Sequence, residues 1–448
     1  MPSALNSFVD LICDREKYLI PANTIEYSRL VLADTLATIV GGIAEPEMQK
    51  LIKSDLPLGE IKILGTDFKT DYLHAAFLTG TAGTFLEMDE GNQFAKGHPA
   101  IHILPAILSI SSKAKVTYKE FLEAFIIGYD VAARIGLACN LSTKMHPHGT
   151  WGGVGAAAAL ARLFKTNRTR TRELLNIASS LTLATSRKTM LEGGTVRNTY
   201  AGVSNQMALM SLRLLEAGIC GENDGIKSVF GSVVSTYLDE EKACEKIGER
   251  FEINRNYFKL YSCCRYNHAA LDCLWHLIEN NPELKEFEKI DEILIESYSL
   301  AAELKDKNPK NTLAAKFSVP FAVATTLVNR SSGVNDFSNQ ALANQKTISL
   351  CQKVKVTENP KYTEKLPDLR PAKVEVIFSD GRKITHSVET NRGDWQDPYS
   401  TVQIKNKFES LTSRVWSQKK CNLIYNNIMK TDLNDLGYLN WLGSGYKV

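Results

Sequence analysis

The architecture depends most on the segment Gly149-Thr150-Trp151-Gly152-Gly153-Val154-Gly155-Ala156-Ala157-Ala158-Ala159-Leu160, which follows His146-Pro147-His148. Glycine permits tight turns and close backbone approach, and the alanine run is a strong helix former. The first turn of such a helix has unpaired N–H groups at the positive end of its dipole, which favours an anion. The same small residues also suit a tightly packed core helix, and the segment alone leaves both interpretations open.

Composition bounds the class of protein. A chain of 448 residues exceeds one compact core, so we expect two domains or one large domain with an insertion. The 53 lysines and arginines are balanced by 50 acidic residues, and no basic stripe indicates a nucleic-acid partner. The apolar stretches are too short or too rich in glycine and alanine for a membrane span, and the first residues lack a signal-peptide pattern. The nine scattered cysteines are typical of reduced thiols, and we expect a cytoplasmic protein.

Helical periodicity dominates the chain up to about Arg255. It recurs at residues 23–42, 72–86, 105–112, 118–141, 153–163, 170–185 and 198–217. Almost nothing in this part alternates with period two, so it is predicted to be all-helical.

The pattern changes after that point. Period-two alternation predicts strands at 290–298, 354–356, 373–378 and 382–388, and Ser379-Asp380-Gly381 is a hairpin signal. Helical segments at 269–280 and 316–328 lie among these strands. We therefore predict a mainly α protein: a helical domain at 1–260, an inserted α+β lid with an antiparallel sheet at 261–395, and C-terminal helices at 396–448 that return to the helical domain.

A first polar cluster is Glu87-Met88-Asp89-Glu90-Gly91-Asn92, followed by His98-Pro99 and His102. Carboxylates followed by an imidazole at a Pro-started helix would form an acid/base group, although a solvated acidic loop has the same composition. His98 and His102 are spaced like metal ligands, but no cysteine or third histidine follows at matching spacing. We therefore expect no metal.

Two further clusters adjoin glycine turns. His146 and His148 precede the alanine helix, although single histidines are more often structural than catalytic. Arg197 follows Gly193-Gly194 at a predicted helix start, where it could clamp a carboxylate in bidentate fashion. The alternative for Arg197 is a surface arginine, which the helix dipole disfavours at that end.

The last cluster is Cys263-Cys264-Arg265-Tyr266-Asn267-His268, at the predicted domain junction where ligand sites are common. The chain has no phosphate loop, dinucleotide fingerprint or GxSxG elbow, so we expect no cofactor. The remaining imidazoles, carboxylates and guanidinium groups suit proton abstraction beside the carboxylates of a small anionic substrate.

Five motifs, in order, resemble those of the MmgE/PrpD family over essentially the whole chain. They are Val31-Leu32-Ala33-Asp34-Thr35-Leu36, Gly128-Tyr129-Asp130-Val131-Ala132-Ala133-Arg134-Ile135-Gly136, His146-Pro147-x-Gly149-Thr150-x-Gly152, Cys264-Arg265-Tyr266-x-His268-Ala269-Ala270 and Ala315-Lys316-Phe317-Ser318-Val319-Pro320-Phe321. The resemblance implies a helical domain closed by an α+β lid, a homodimer, and cofactor-free action on small di- or tricarboxylates. Members include 2-methylcitrate dehydratase, cis-aconitate decarboxylase and iminodisuccinate epimerase.

The chain departs from the family pattern at several points. The aromatic residue of the family's acidic loop is missing here, and the loop to His98 is one residue longer. Glu87 stands where the family's acidic loop begins with Asp, and His148 replaces a small hydroxyl residue. Arg197 falls where the dehydratases and decarboxylases carry a lysine. Because arginine stays protonated, it cannot serve as a base.

The resemblance favours a lyase, most simply a 2-methylcitrate-type dehydratase. In that scheme His98 or His268 exchanges the proton next to a carboxylate, with Asp89 orienting or protonating and His146 as a further catalytic residue. The residues expected to bind substrate are Glu87, Asn92, His148, Arg197, Cys264 and Arg265. An epimerase of a small dicarboxylate is the first alternative, and a non-catalytic carboxylate-binding relative is the second.

Overall fold

The computed structural model describes residues 3–442. These residues form a predominantly helical protein with one small mixed sheet in the C-terminal half. The prediction of a mainly α chain is confirmed. The first part of the chain is residues 3–260, and the second part is residues 261–395. The arrangement of the second part as a lid stays a prediction.

The helices of the first part are α1 (Ala4–Cys13), α2 (Ala22–Ile43), α3 (Pro46–Ile52), α4 (Tyr72–Thr84), α5 (Leu104–Ile110), α6 (Tyr118–Ala138), α7 (Gly152–Leu163), α8 (Arg168–Ser180), α9 (Lys188–Leu191), α10 (Tyr200–Glu216), α11 (Gly225–Ser228) and α12 (Glu240–Cys244). Their starts follow local chemistry. The Asp71 side chain caps α4, and α6 begins at a capping box formed by Thr117 and Glu120.

Helix α7 packs against α6 through small residues. A Cβ atom at Gly155 would lie 2.5 Å from the Cβ of Ala132, and one at Gly128 would lie 2.7 Å from the Cβ of Ala159. Every residue of α7 is buried. These glycines and alanines therefore allow close helix packing, which is the core-helix interpretation of this segment.

The first part also contains short strand pairs. They are β1 (Ile61–Lys62) with β2 (Lys69–Thr70), β3 (Gly91–Asn92) with β6 (Asn256–Tyr257), and β4 (Cys139–Leu141) with β5 (Ser235–Leu238). The prediction of an all-helical first part is wrong at these points, and the helix predicted to reach residue 141 ends at Ala138. Strands of two to four residues are too short to show alternation in a sequence.

The second part contains helices α13 (His268–Asn280), α14 (Ser299–Ala302), α15 (Thr312–Lys316), α16 (Val319–Asn329), α17 (Asn339–Leu342), α18 (Gln345–Gln352) and α19 (Pro360–Thr363). Its strands are β7 (Ile290–Ser297), β8 (Val354–Glu358), β9 (Ala372–Phe378) and β10 (Lys383–Val388).

The sheet of the second part has the strand order β10-β9-β7-β8. The β9–β10 hairpin is antiparallel, as predicted, and Gly381 adopts the positive φ of 86° that its turn requires. Strand β8 pairs parallel to β7, so the prediction of a purely antiparallel sheet is wrong. The chain between β7 and β8 runs through several helices, and such a long crossover permits parallel pairing.

The chain ends in α20 (Thr401–Thr412), α21 (Gln418–Lys430) and α22 (Leu439–Leu442). Helix α20 is tied to α2 by Lys407, whose Nζ lies 2.5 Å from Oδ1 of Asp34. Buried apolar side chains of these helices share one cluster with the first part, whereas those of residues 263–378 form a second cluster with Met190. The predicted segment 396–448 extends beyond the described residues.

Among residues 3–442, no single helix has both the length and the apolar character needed to cross a membrane. One bent pair, Ala22–Ile43 with Pro46–Ile52, meets those criteria by length and composition only.

Candidate active site

A cavity of about 40 Å³ lies where the predicted polar clusters meet. The predicted site residues that line it are Glu87, His98, His146, His148, Arg197, Cys264 and Arg265. A water molecule occupies about 30 Å³, whereas small-molecule pockets usually hold roughly 300–1,000 Å³. The cavity is therefore narrow, and it has to widen before a small ligand can fit.

Loops beside helix ends bring these side chains together. Glu87 follows α4 with a positive φ of 53°, and His98 follows the turn after β3. A Cβ at Gly97 would lie 2.5 Å from the indole of Trp151, so only glycine fits before His98. Arg197 and Arg265 lie in short 3₁₀ turns that lead into α10 and α13.

His148 lies at the centre of a histidine cluster. Its ring centroid is 4.8 Å from that of His98, 4.9 Å from that of His102 and 4.9 Å from that of His146. Neither ring nitrogen of His148 has a hydrogen-bond partner among the described residues, although the side chain is buried. His102, in contrast, has contacts at both nitrogens, with the His98 carbonyl at 2.8 Å and the Gly149 N–H at 3.1 Å. Both ring nitrogens of His148 are therefore available to a ligand.

Burial lowers the pKa of each histidine in this cluster. The pKa of His102 is lowered to about 4, and the pKa values of His98, His146 and His148 lie well below the ordinary value of 6.5. The positive charges of Lys259, near His98, and of Arg197, near His146 and His148, add to this effect. These imidazoles are therefore neutral at pH 7.

Asp89 lies behind His98 and does not border the cavity. Its Oδ2 is 3.2 Å from Nδ1 of His98, and the same Nδ1 is 2.6 Å from the carbonyl oxygen of Glu90. These contacts hold the ring and leave its Nε2 without a hydrogen-bond partner among residues 3–442. The carbonyl of Glu90 therefore orients the His98 ring, and the carboxylate of Asp89 lies beside it without a hydrogen bond.

Arg197 and Glu87 form a buried ion pair at the cavity wall, and each side chain is no more than 2% exposed. The Nζ of Lys259 is 3.6 Å from Oε2 of Glu87 and 3.7 Å from Oδ1 of Asp89. The Nε of Arg197 also lies 3.3 Å from Nε2 of His146. Two of the departures of this chain from the family pattern, Glu87 and Arg197, therefore contact each other.

The junction cluster is held by Arg265. Its Nη2 donates to Oδ1 of Asp394 at 2.6 Å, and its Nη1 lies 3.0 Å from Nδ1 of His268. The Nε2 of His268 is 3.3 Å from the carbonyl of Cys263, and His268 does not border the cavity. Burial raises the pKa of the Cys264 thiol to about 11, so this group is protonated at neutral pH.

Asn92 does not reach the cavity either. Its Nδ2 donates to the carbonyl of Glu252 at 3.0 Å, and its Oδ1 accepts from the N–H groups of Phe94 and Ala95 at 3.0 Å. These hydrogen bonds shape the turn before His98, and the predicted role of Asn92 in binding substrate stays a prediction.

Three possible metal-ligating side chains converge beside the cavity. Atoms of Asp89, His98 and His148 lie within 4.8 Å of one another. The tertiary structure thus adds His148 to His98 as a possible metal ligand, although it does not follow at matching spacing in the sequence. Two features oppose a cation at this point: Nδ1 of His98 contacts a carbonyl oxygen, and Lys259 lies next to Asp89. The absence of a metal remains a prediction.

Several lining residues were not identified as site residues from the sequence. They are Lys96, Arg187, Met190, Tyr257, Tyr266, Phe317 and Arg370. Tyr266 and Phe317 lie within quoted family motifs, but the others are isolated in sequence and gave no local signal.

Comparison with known proteins identifies the family of this chain. The N-terminal domain of the MmgE/PrpD family matches residues 6–242, and its C-terminal domain matches residues 261–431. The chain is 22% identical to a cis-aconitate decarboxylase of Aspergillus terreus, covering 94% of this chain and 91% of that protein. It is also 22% identical to the cis-aconitate decarboxylase-like protein oryM of Aspergillus oryzae, over 95% of this chain and 94% of that protein. It is 23% identical to the cis-aconitate decarboxylase of Mus musculus, over 85% of this chain and 80% of that protein. The chain belongs to the MmgE/PrpD family.

Proposed function

We propose that this member of the MmgE/PrpD family is a cofactor-free lyase that removes carbon dioxide from a small unsaturated tricarboxylate of the cis-aconitate type. The observation that carries the proposal is the narrow cavity that neutral imidazoles and guanidinium groups line together. The names of the relatives direct the choice among lyase reactions toward decarboxylation rather than the dehydration we expected first.

The guanidinium groups of the site would bind the carboxylates of the substrate. Guanidinium groups at the wall, among them Arg197, would hold carboxylates in the narrow cavity. Because Arg197 is already paired with Glu87, it offers a substrate its remaining donors rather than an uncompensated charge.

His148 is our candidate for proton transfer. Decarboxylation breaks the bond between a carbon and its carboxylate, leaves the electron pair on the organic product and requires one proton in return. A bound polyanion next to His148 favours the imidazolium form, so the substrate itself would help to load that proton. His98, which the Glu90 carbonyl orients, is the second group available for this step.

Two sequence-based roles change in this scheme. Arg197 cannot take over the proton transfer of the lysine that it replaces, because a guanidinium stays protonated. His268 lies behind Arg265 and outside the cavity lining, so we assign it a positioning role instead of proton transfer.

Proton NMR of the purified enzyme with cis-aconitate in deuterated buffer tests the proposal. Decarboxylation converts the single vinyl signal of the substrate into the two signals of a terminal methylene group and releases carbon dioxide. His276 provides a matched control, because it is an exposed histidine on α13 and does not line the cavity. His276→Gln should keep the activity that His148→Gln loses.

Other outcomes would overturn the proposal in distinct ways. Loss of the vinyl signal without carbon dioxide would indicate a hydro-lyase. Exchange of a proton α to a carboxylate in an amino- or imino-dicarboxylate, without bond cleavage, would indicate an epimerase. Saturable binding without any of these changes would indicate a non-catalytic relative.

A further inference from the structure

Arg370 is a buried cation at the cavity wall that neither the sequence motifs nor the proposed reaction assigns. It lies between α19 and β9, two residues before the strand begins, and only 4% of it is exposed. It therefore reaches the cavity from the second part of the chain, whereas Arg197 reaches it from the first part.

Most side-chain N–H donors of Arg370 have no hydrogen-bond partner among the described residues. Its Nη2 lies 3.5 Å from the carbonyl of Gln93, at the limit of a hydrogen bond. Its Nε and Nη1 have no partner among residues 3–442, although both atoms are buried. Since a guanidinium carries five N–H donors, most of its capacity is free.

The charge of Arg370 is also unpaired. The other cavity arginines each have a carboxylate within 4 Å: Glu303 for Arg187, Glu87 for Arg197 and Asp394 for Arg265. Arg370 has none in the described part of the chain. A buried cation without a counter-ion is costly, so its position indicates that a ligand supplies the negative charge.

The aromatic neighbours cannot supply that charge. The guanidinium carbon of Arg370 lies 5.6 Å from the ring centroid of Tyr257 and 5.7 Å from that of Tyr266. Burial raises the pKa of both phenols, so they stay protonated. Their rings cover the guanidinium and exclude water, while its free N–H groups remain available.

We propose that Arg370 forms a separate carboxylate subsite and selects substrates that carry a carboxylate beyond those bound on the Arg197 side. This inference rests on the proposed function, since it assumes a small polycarboxylate in the cavity. A ligand held by both arginines would bridge the two parts of the chain, because each part contributes one of them.

Calorimetry with two unreactive ligands tests this subsite. Propane-1,2,3-tricarboxylate carries three carboxylates, and glutarate has the same chain without the central one. A charge-assisted hydrogen bond to a buried group is worth about a factor of ten to a hundred in affinity, so the wild-type protein should prefer the tricarboxylate by about that factor. Arg370→Met should abolish the preference, and Arg370→Lys should restore part of it because the charge returns without the planar fork.

Thermal unfolding without ligand separates recognition from structure. Arg370→Met removes an unpaired buried charge, so its unfolding temperature should equal or exceed that of the wild type, whereas a structural role would lower it. Arg414→Met, which removes an arginine paired with Glu45 away from this cavity, should leave the ligand preference unchanged.

The outcomes also separate this inference from the proposed function. If the wild type binds the tricarboxylate and Arg370→Met binds it equally well, the subsite is refuted while the substrate class stands. If the wild type binds neither ligand, the proposed substrate class and the subsite fall together.

Discussion

The buried pair of Glu87 and Arg197 should respond asymmetrically to mutation. Glu87→Gln leaves Arg197 without any carboxylate within 4 Å among the described residues. Arg197→Met leaves Glu87 with the ammonium group of Lys259 at 3.6 Å. Stranding a buried charge typically costs about 3–5 kcal/mol, whereas losing one charge-assisted bond costs about 1.5–3 kcal/mol.

We therefore expect Glu87→Gln to lower the free energy of unfolding by about 3–5 kcal/mol and Arg197→Met by about 1.5–3 kcal/mol. The double variant removes both partners, so its cost should be smaller than the sum by about 1–3 kcal/mol. Urea unfolding at neutral pH, followed by far-UV circular dichroism, gives these differences as long as the slope with urea is unchanged.

A more exposed pair provides the control. Arg187 and Glu303 have side chains that are 15% and 39% exposed, so Arg187→Met should cost only about 0–1 kcal/mol. Equal costs for Glu87→Gln and Arg197→Met, or strict additivity in the double variant, would refute the reasoning, since Lys259 would then provide no compensation to Glu87.

Further predictions concern proton transfer, metal, pH and motion. His148→Gln should lower kcat by about 10²–10⁴-fold, whereas His268→Gln should mainly raise KM because it acts through Arg265; the opposite pattern in steady-state kinetics would return proton transfer to His268. Treatment with EDTA should leave activity intact, and loss of activity that a divalent metal restores would contradict this. Burial raises the pKa of Glu90 to about 8 from 4.5, so the folded protein keeps this group protonated while the unfolded chain ionises it. Its contribution to stability is then lost as pH rises from about 4.5 to 8, and Glu90→Gln should flatten that decline in thermal unfolding curves; an unchanged decline would count against the assignment. Because the cavity holds only about 40 Å³, segment 261–395 should move relative to the helical part, and saturation with propane-1,2,3-tricarboxylate should slow hydrogen exchange around 263–268. Exchange that does not change on saturation would argue against a lid.

Local patterns in the sequence predicted the elements well, because periodicity and caps act within a few residues. The alternation at 373–378 and 382–388, with its Asp-Gly turn, predicted the hairpin that the structure contains. The glycines and alanines of α7 predicted both an anion site and a packed helix, and contacts with Ala132 and Ala159 decided in favour of packing. The local signal does not specify what lies across an interface.

The sequence by itself determined the helical class, the hairpin, the family and about half of the side chains around the cavity, because these follow from local patterns and short motifs. Only the tertiary structure decided the parallel pairing of β8 with β7 and the ion pair of Glu87 with Arg197. It also decided that the His148 ring, surrounded by other imidazoles, has no hydrogen-bond partner among the described residues. It alone also placed Arg370 at the cavity and His268 behind it. The physical reason is that charge pairing, desolvation and strand direction depend on distances between atoms that are far apart in sequence, and packing of the whole chain sets those distances.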